Sequence, residues 1–560
     1  MNLRSNYEPG TSRWATRRAQ WLALGLSDED MVKPKIAIVN TSSQLAICFS
    51  HLDEIARRAR RAIGLAGGVG FEVRTAAPSD FITSAGHRGG YILSARDLIT
   101  NDIEVQVEGA QLDGMICLAS CDKTAPGQLM AAARLNIPTI IVACGYQPSG
   151  NYKGRHCDIE DVFLAAGHVA NGRLSTEELT EMSENAVLGP GVCAGIGTAN
   201  TMHLACEALG MALPGSTPVR ANSEPMWRAV DQAAGRIIEM IAEDLKPRDI
   251  MTPAAFRNAV TTILSASGSI NSVKHLQAVA AEAECDVDVY GLFERLADEV
   301  PLLTAIRPNG ETPIEEFEDA GGTRALMVRL EGMLDSGALT VTGETVARNL
   351  AGVTVADEET IRPVERALGR RPTIVLIRGS LCPDGGIVKL AVADDRRLEF
   401  AGPAVVYESP EVAIDAVRAG QIPAGAVVVL RGQGVTGSPG MGMASRLVFA
   451  LDGAGLTGEV AVVTDGQLSG LVNKGIVVGE VSPEAAGGGP LALVENGDTI
   501  RIDVPARTAD LDIPAEEFER RKAALPARPP TGEVGWLSVY QRLVRPLPEG
   551  AVLRPRGPAS

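Results

Sequence analysis

Three short apolar runs, at 35–40 (KIAIVN), 114–120 (GMICLAS) and 139–144 (TIIVAC), constrain the fold of this 560-residue chain more than any other feature, because loops and stretches of helical periodicity intervene between them. Continuously apolar strands alternating with amphipathic helices are the signature of a parallel sheet covered on both faces. The first two-thirds of the chain is therefore expected to be α/β, with further helices over about 170–220 and 223–354. Near Arg370 the texture changes. The runs TIVLIR, AVVYES, AVVVLR, EVAVVTDG, LALVEN and TIRIDV, punctuated by Gly, Pro and Asp, predict a smaller β-barrel-like unit. The expected division is a large N-terminal α/β domain with a parallel sheet over 1–366 and a β-rich C-terminal domain over 367–560. The Pro- and Arg-rich tail from Pro526 is assigned no role.

The turn after the second run carries the densest chemistry. Cys121-Asp122-Lys123 places a soft metal ligand, a hard ligand and an amine in three consecutive residues, followed by Thr124-Ala125-Pro126-Gly127. Pro126 suits the first turn of a helix and Thr124 is expected to cap it. On such a strand-to-helix turn, unpaired N–H groups and the helix dipole favour a thiolate, a carboxylate or a bound anion. Two different inorganic centres side by side are the reading. Cys48 follows the apolar run 36–39 and leads into a helical stretch beginning at His51, and Cys193 lies in the loop GPGVCAGIG before TANTMHLACEALGMAL. Three cysteines in three strand-loop-helix settings can hold one cluster. Taken singly each reads as a small buried hydrophobe, which is the reading kept for Cys117, Cys144, Cys157, Cys206, Cys285 and Cys382. GPGVCAGIG is not a strand-coupled GxGxxG with a downstream acidic residue, and no GxxxxGK[ST] occurs, so a nucleotide cofactor is not expected.

The blocks CDKTAPGQLMAAARLNIPTI, GTANTMHLACEALGMALPGS, LTVTGETVARNL, GSLCPDGGIVK and VTDGQLSG, the last followed by VSPEAAGGGPLALVENGD, resemble the dihydroxy-acid and sugar-acid dehydratases, in family order over nearly the whole chain. The resemblance implies an iron–sulfur cluster held by Cys48, Cys121 and Cys193, with [2Fe–2S] favoured and [4Fe–4S] possible. It implies a Mg2+ site at Asp80, Asp122 and Lys123, the lysine acting as a carbamate, and Ser469 as proton acceptor. It also implies two domains with the site between them and a homodimer or homotetramer. The chemistry needs these types. An iron with three protein thiolates keeps an open position for a C3 hydroxyl, and a hard cation suits a carboxylate with its C2 hydroxyl. A bare serine hydroxyl is a weak base and requires activation by metal charge or backbone donors. The expected activity is a hydro-lyase converting a 2,3-dihydroxy carboxylic acid, branched-chain or sugar-derived, to a 2-keto acid.

Departures from the family pattern surround the same centre. Met443 stands where a magnesium-binding glutamate is expected, and a thioether does not replace a carboxylate on magnesium. The first cysteine is flanked by Ala46-Ile47 and Phe49, the segment at 87–90 is His-Arg-Gly-Gly, and Ser469 is followed by Gly-Leu-Val-Asn-Lys. These changes tilt the substrate slightly towards a polyhydroxylated sugar acid and make Arg88 and Lys474 candidates for pairing with it, against the plainer reading of solvated surface charge. They also motivate an alternative function: a catalytically weakened homologue that keeps its cluster for binding or redox sensing.

The net charge of −17 argues against nucleic acid or an acidic membrane surface as partner. The basic N-terminus lacks the apolar core of a signal peptide and no run is long enough to span a membrane. Nine scattered cysteines fit a reducing compartment, so a cytoplasmic enzyme acting on a small molecule is expected.

Overall fold

The computed structural model describes residues 3–86, 89–169, 172–392, 397–470, 472–525 and 532–553. The three apolar runs form strands β1 (Lys35–Asn40), β3 (Gly114–Ala119) and β4 (Thr139–Ala143), and every residue in them is buried. With β2 (Val69–Arg74) they make a four-stranded sheet of order β2-β1-β3-β4, all parallel. Strand β2 was not legible from apolar continuity, because it lies at the sheet edge and only Gly70 and Val73 of its six residues are buried. The chain passes from β1 outwards to β2 on one side and then to β3 on the other. The carboxyl ends of β1 and β3 therefore flank a topological switch point, the crevice where open parallel sheets bind ligands. The loops carrying Cys48 and Cys121 leave from those two ends.

A short hairpin, β5 (Gly150–Tyr152) and β6 (Arg155–Cys157), precedes a long helical stretch. The remaining strands are β7 (Ile374–Ile377), β8 (Gly385–Lys389), β9 (Glu399–Tyr407), β10 (Val427–Leu430), β11 (Ala461–Thr464), β12 (Ile476–Ser482), β13 (Thr499–Asp503) and β14 (Thr508–Asp512). They form one sheet of order β14-β13-β9-β10-β11-β12-β8-β7. A bridge between Arg378 and Thr508 brings its two ends together, so the sheet is nearly closed, the barrel-like arrangement expected. Its middle, β9 to β12, is parallel, which the sequence reading did not anticipate. Helices Pro410–Arg418 and Ser445–Gly453 provide two of those crossovers. The run LALVEN is not a strand: Pro490–Leu493 is a 3-10 turn started by proline, and four apolar residues are too few to separate the two by pattern.

Side chains alternate across each strand, and here the alternation divides two cores. Val375, Val427, Val429, Val463 and Val478 fill the barrel interior. Leu376, Val428, Leu430, Val462 and Val477 join the core shared with the first sheet and its helices. The barrel is thus anchored to the α/β part through its own outer face.

One close backbone contact positions the site loop across this junction. Gly440 has φ +82°, and a Cβ there would lie 1.7 Å from the carbonyl oxygen of Gly90, at the start of helix Gly90–Ala110. Gly440→Ala is expected to cost at least about 2 kcal/mol, since a left-handed backbone and an immovable carbonyl both oppose the methyl. Gly420→Ala, with φ +65° and open space around it, serves as control and should lose only about 1 kcal/mol. Urea unfolding of the two variants, followed by circular dichroism, checks the difference.

Candidate active site

The three cysteine loops are tied together at Ser120. Its hydroxyl donates to the Cys48 carbonyl (2.6 Å), and its own carbonyl meets Nε2 of His203 (3.0 Å), on helix Thr198–Ala208 behind the Cys193 loop. Burial lowers His203 to about 4, so the ring is neutral and Nε2 is the donor. The Asn200 amide then donates to the Cys193 carbonyl (2.9 Å) and to Gly195 (2.7 Å). Thr124 does not cap the following helix as expected. It is the first helical residue, and its hydroxyl accepts from Ser120 N–H (2.8 Å) and donates to the Cys121 carbonyl (2.8 Å), closing the turn from inside.

A single cavity is lined by Asp80, Cys121, Asp122, Cys193 and Ser469, five of the seven residues singled out from sequence. Cys48 and Lys123 lie directly behind the lining. The neighbouring Cys48, then burial and the Asp122 and Asp80 charges, push the Cys121 thiol well up. Burial, then Glu160 and Asp122, push Cys193 up as well. All three cysteines are free. Thiols crowded among carboxylates keep their protons until positive charge arrives, and such a donor set fits a metal or cluster.

Lys123 is completely buried, with Nζ 2.9 Å from Asp80 Oδ2 and 3.9 Å from Asp122 Oδ2. Burial lowers its affinity for a proton, yet the two carboxylates outweigh burial and the net shift is upward. Asp122 is pushed up to about 7 by burial and by Asp80, against the pull of Lys123 and of the nearby Thr198 hydroxyl. The other Asp80 oxygen, Oδ1, is buried without a hydrogen-bond partner among the described residues. Two carboxylates, one with an orphaned oxygen, around a single ammonium make a donor set that fits a hard divalent cation.

Ser469 comes from the turn after β11. Its N–H donates to Ser445 Oγ (2.6 Å), and Gln467 pairs with Met443 across the neighbouring loop through Ala444 N–H to Gln467 O (2.9 Å) and Gln467 N–H to Gly442 O (2.8 Å). Met443 therefore does face the cavity, as a thioether. Lys474 does not: its ammonium is 3.0 Å from Asp452 at the surface, so it is solvated charge and no substrate contact. Arg88, Leu471 and part of the Pro/Arg-rich tail (526–531 and 554–560) lie outside the described residues.

Sequence reasoning missed several lining residues. Glu160 is buried, and burial with Asp158 and Asp122 pushes its carboxyl well up. Phe81 and Phe163 stack edge to face at 5.5 Å, and Phe163 meets Phe449 at 5.2 Å, forming an apolar wall. Thr198 and Asn271 form part of the floor. None carries a motif; each is identified only by what folds around it. His156, Asp158 and Asp161 also bring ligand atoms within 4.8 Å of one another, but Asp158 accepts from the Glu160 and Asp161 N–H groups and Asp161 pairs with Arg307.

Residues 33–349 match the family described as dihydroxy-acid/6-phosphogluconate dehydratase N-terminal, and 359–551 match its C-terminal counterpart. The proteins named dihydroxy-acid dehydratase of Caldicellulosiruptor saccharolyticus and Pyrococcus abyssi are 39% and 40% identical, each over 96% of this chain and 98% of the relative. That of Methanococcoides burtonii is 37% identical over 98% of this chain and 99% of its own.

The Asp122 shift has a pH signature in the metal-free protein. The carboxyl releases its proton near 3.8 when unfolded and near 7 when folded, so the folded chain binds the extra proton between these values. Its contribution to stability is therefore lost as pH rises from about 4 to 7. Asp122→Asn removes that loss and is expected to stabilise the metal-free protein by about 2 kcal/mol at pH 8, about half the full value of such a shift because the side chain is 19% exposed, with little effect at pH 4. Urea titrations with EDTA at the two pH values measure it.

Proposed function

The chain belongs to the dihydroxy-acid/6-phosphogluconate dehydratase family, and from that premise we propose that it is a hydro-lyase converting a branched-chain 2,3-dihydroxy acid to the 2-keto acid at this cavity. The observation that carries the reading is the convergence of Asp80, Asp122, Cys121, Cys193 and Ser469 on one cavity, from loops as far apart in sequence as β3 and β11. No transmembrane helix is present among the described residues. Nothing in the comparisons favours a cluster-carrying binding or sensing protein.

On this reading Cys48, Cys121 and Cys193 hold an iron–sulfur cluster, [2Fe–2S] in preference to [4Fe–4S], and Asp80, Asp122 and carbamylated Lys123 hold Mg2+. When bound, the two groups supply Lewis acidity, at the leaving C3 hydroxyl and at the carboxylate with its C2 hydroxyl respectively. The protein's own residues do the rest. By holding the cation, Asp80 and Asp122 would fix where the substrate's carboxylate end sits. Lys123 as an ammonium would repel any cation placed between its two carboxylates, which supports its conversion to a carbamate. Ser469, held by Ser445 at its backbone N–H, would take the C2 proton as its alkoxide. Returned to the departing C3 hydroxide, that proton makes the water lost and regenerates the alkoxide, and the enol left behind tautomerises to the 2-keto acid. Phe81 and Phe163 exclude water from one side and give an alkyl branch its surface, which favours the branched-chain substrate over the polyhydroxylated acid that the altered loops suggest. The division into domains 1–366 and 367–560, with the site at their junction, belongs to the same reading.

The test is anaerobic reconstitution with iron, sulfide and magnesium, then a keto-acid assay on dihydroxyisovalerate, gluconate, arabinonate and xylonate. Turnover of the branched acid is expected, and Ser469→Ala should reduce kcat by about 100-fold or more with cluster absorbance unchanged. Turnover of the sugar acids alone would overturn the substrate, and no turnover by the loaded enzyme would overturn the activity.

A further inference from the structure

The turn that opens helix Ile159–Val169 holds three acids, and two of them are committed within the protein. Asp158 Oδ1 accepts from the N–H groups of Glu160 (2.8 Å) and Asp161 (3.2 Å), and its Oδ2 meets His156 Nε2 (3.0 Å). Asp161 accepts from Asp158 N–H (3.0 Å) and pairs with Arg307 (2.7 Å). Glu160 lines the cavity and is only 6% exposed, and its carboxyl makes no hydrogen bond or ion pair among the described residues. A buried acceptor of this kind is costly until a ligand meets it.

Room for that carboxyl is left by Gly197. The glycine backbone, with φ −72°, is one that any residue adopts, yet a Cβ there would lie 2.9 Å from Glu160 Oε1. Gly197 is also the N-cap of helix Thr198–Ala208 and has no side chain with which to cap it. The first helical bond runs from Thr201 N–H to Gly197 O (3.0 Å), so the N–H groups of Thr198, Ala199 and Asn200 have no partner inside the helix, and these residues line the cavity too. A buried acceptor and a set of donors thus flank one glycine, four residues beyond Cys193. A phosphate or second carboxylate there would be repelled by Glu160, and an ammonium by the helix end. A hydroxyl satisfies both sides, because it donates one hydrogen bond and accepts others. Phe163, one turn beyond Glu160 on the same helix, belongs to the apolar wall. A carbon bearing both a hydroxyl and an alkyl group fits these two neighbours.

We infer that Glu160 is a substrate-contacting residue that receives the C3 hydroxyl, with the N–H groups at the start of helix Thr198–Ala208 donating to the hydroxyl oxygen and Phe163 packed on the alkyl branch of the same carbon. The inference rests on the reading of this cavity as a dihydroxy-acid site. It gives the leaving hydroxyl a partner from the protein itself, and makes Glu160 the residue that distinguishes a 3-hydroxylated acid from one without that group.

The experiment measures equilibrium binding by calorimetry to the full-length protein loaded with cluster and magnesium and carrying Ser469→Ala, in which turnover is slow. The two ligands are dihydroxyisovalerate and 2-hydroxyisovalerate, the same acid without its C3 hydroxyl, and the readout is the ratio of their Kd values. Glu160→Leu is expected to lower the preference for the dihydroxy acid about tenfold, the effect of one charge-assisted hydrogen bond, and Glu160→Gln, which keeps an acceptor, about threefold at most. Gly197→Ala should lower it as Glu160→Leu does, by displacing the carboxylate, and combining the two should add nothing. A merely structural role would weaken both ligands alike and leave the ratio at its parent value. An unchanged ratio in Glu160→Leu, or additive losses in the combined variant, would overturn the inference. If Glu160→Leu is not recovered folded, the ratio in Gly197→Ala decides in its place. Turnover by the loaded protein with Ser469 intact separates the two levels: turnover of dihydroxyisovalerate together with an unchanged ratio sinks the inference alone, whereas no turnover sinks the reading beneath it.

Discussion

Ser120 is the joint from which the site hangs. Its N–H, carbonyl and hydroxyl are all committed, to Thr124, to His203 and to the Cys48 carbonyl. A single residue at the end of β3 thus joins the loop after β1, its own turn, and the helix behind the Cys193 loop. Because the residue is fully buried, each bond lost would leave a desolvated partner, and such losses are the costly kind. The Cys48 and Cys121 loops come together because the Cys48 carbonyl is fastened to Ser120, the residue that directly precedes Cys121. The crevice they occupy exists because the chain reverses direction in the sheet between β1 and β3.

What was legible in the sequence is what the physics makes local. Strands β1, β3 and β4 are buried on both faces and therefore read as unbroken apolar runs. Strand β2 is half-exposed, and β12 interrupts its apolar run with Gly479 and Glu480, so neither announces itself. Glu480 adopts φ +57°, and a register shift interrupts the pairing of β12 with β8 between Gly479 and Ser482. A charged residue buried at an irregularity is decided by tertiary partners that no window of sequence contains.

The site divides along the same line. Cys121, Asp122 and Lys123 could be singled out because their types imply chemistry and their spacing puts them on one turn. Thr198, Asn271, Glu160 and the phenylalanine wall could not, since each is an ordinary residue until the fold aims it at the cavity. Thr124 shows how a local rule fails: a threonine before a helix is normally a cap, but here the Ser120 N–H claims its oxygen and the helix begins one residue early.

Met443 presents a thioether to the cavity where the family resemblance implies a carboxylate. On the proposed reading Asp80 and Asp122 would face one cation, and a carbamate at Lys123 would add a third negative group in place of the ammonium that pairs with them. A fourth carboxylate at 443 would bind the ion more tightly but would sit among charges that already push the Asp122 carboxyl up to about 7. A thioether relieves that repulsion and leaves more of the coordination to water and to the substrate's own carboxylate. On the proposed reading metal and substrate would each stabilise the other's bound state, and by linkage the factor would be the same in both directions. On the proposed reading the loss at Met443 makes the cation a partner acquired with the substrate more than a fixture of the resting protein.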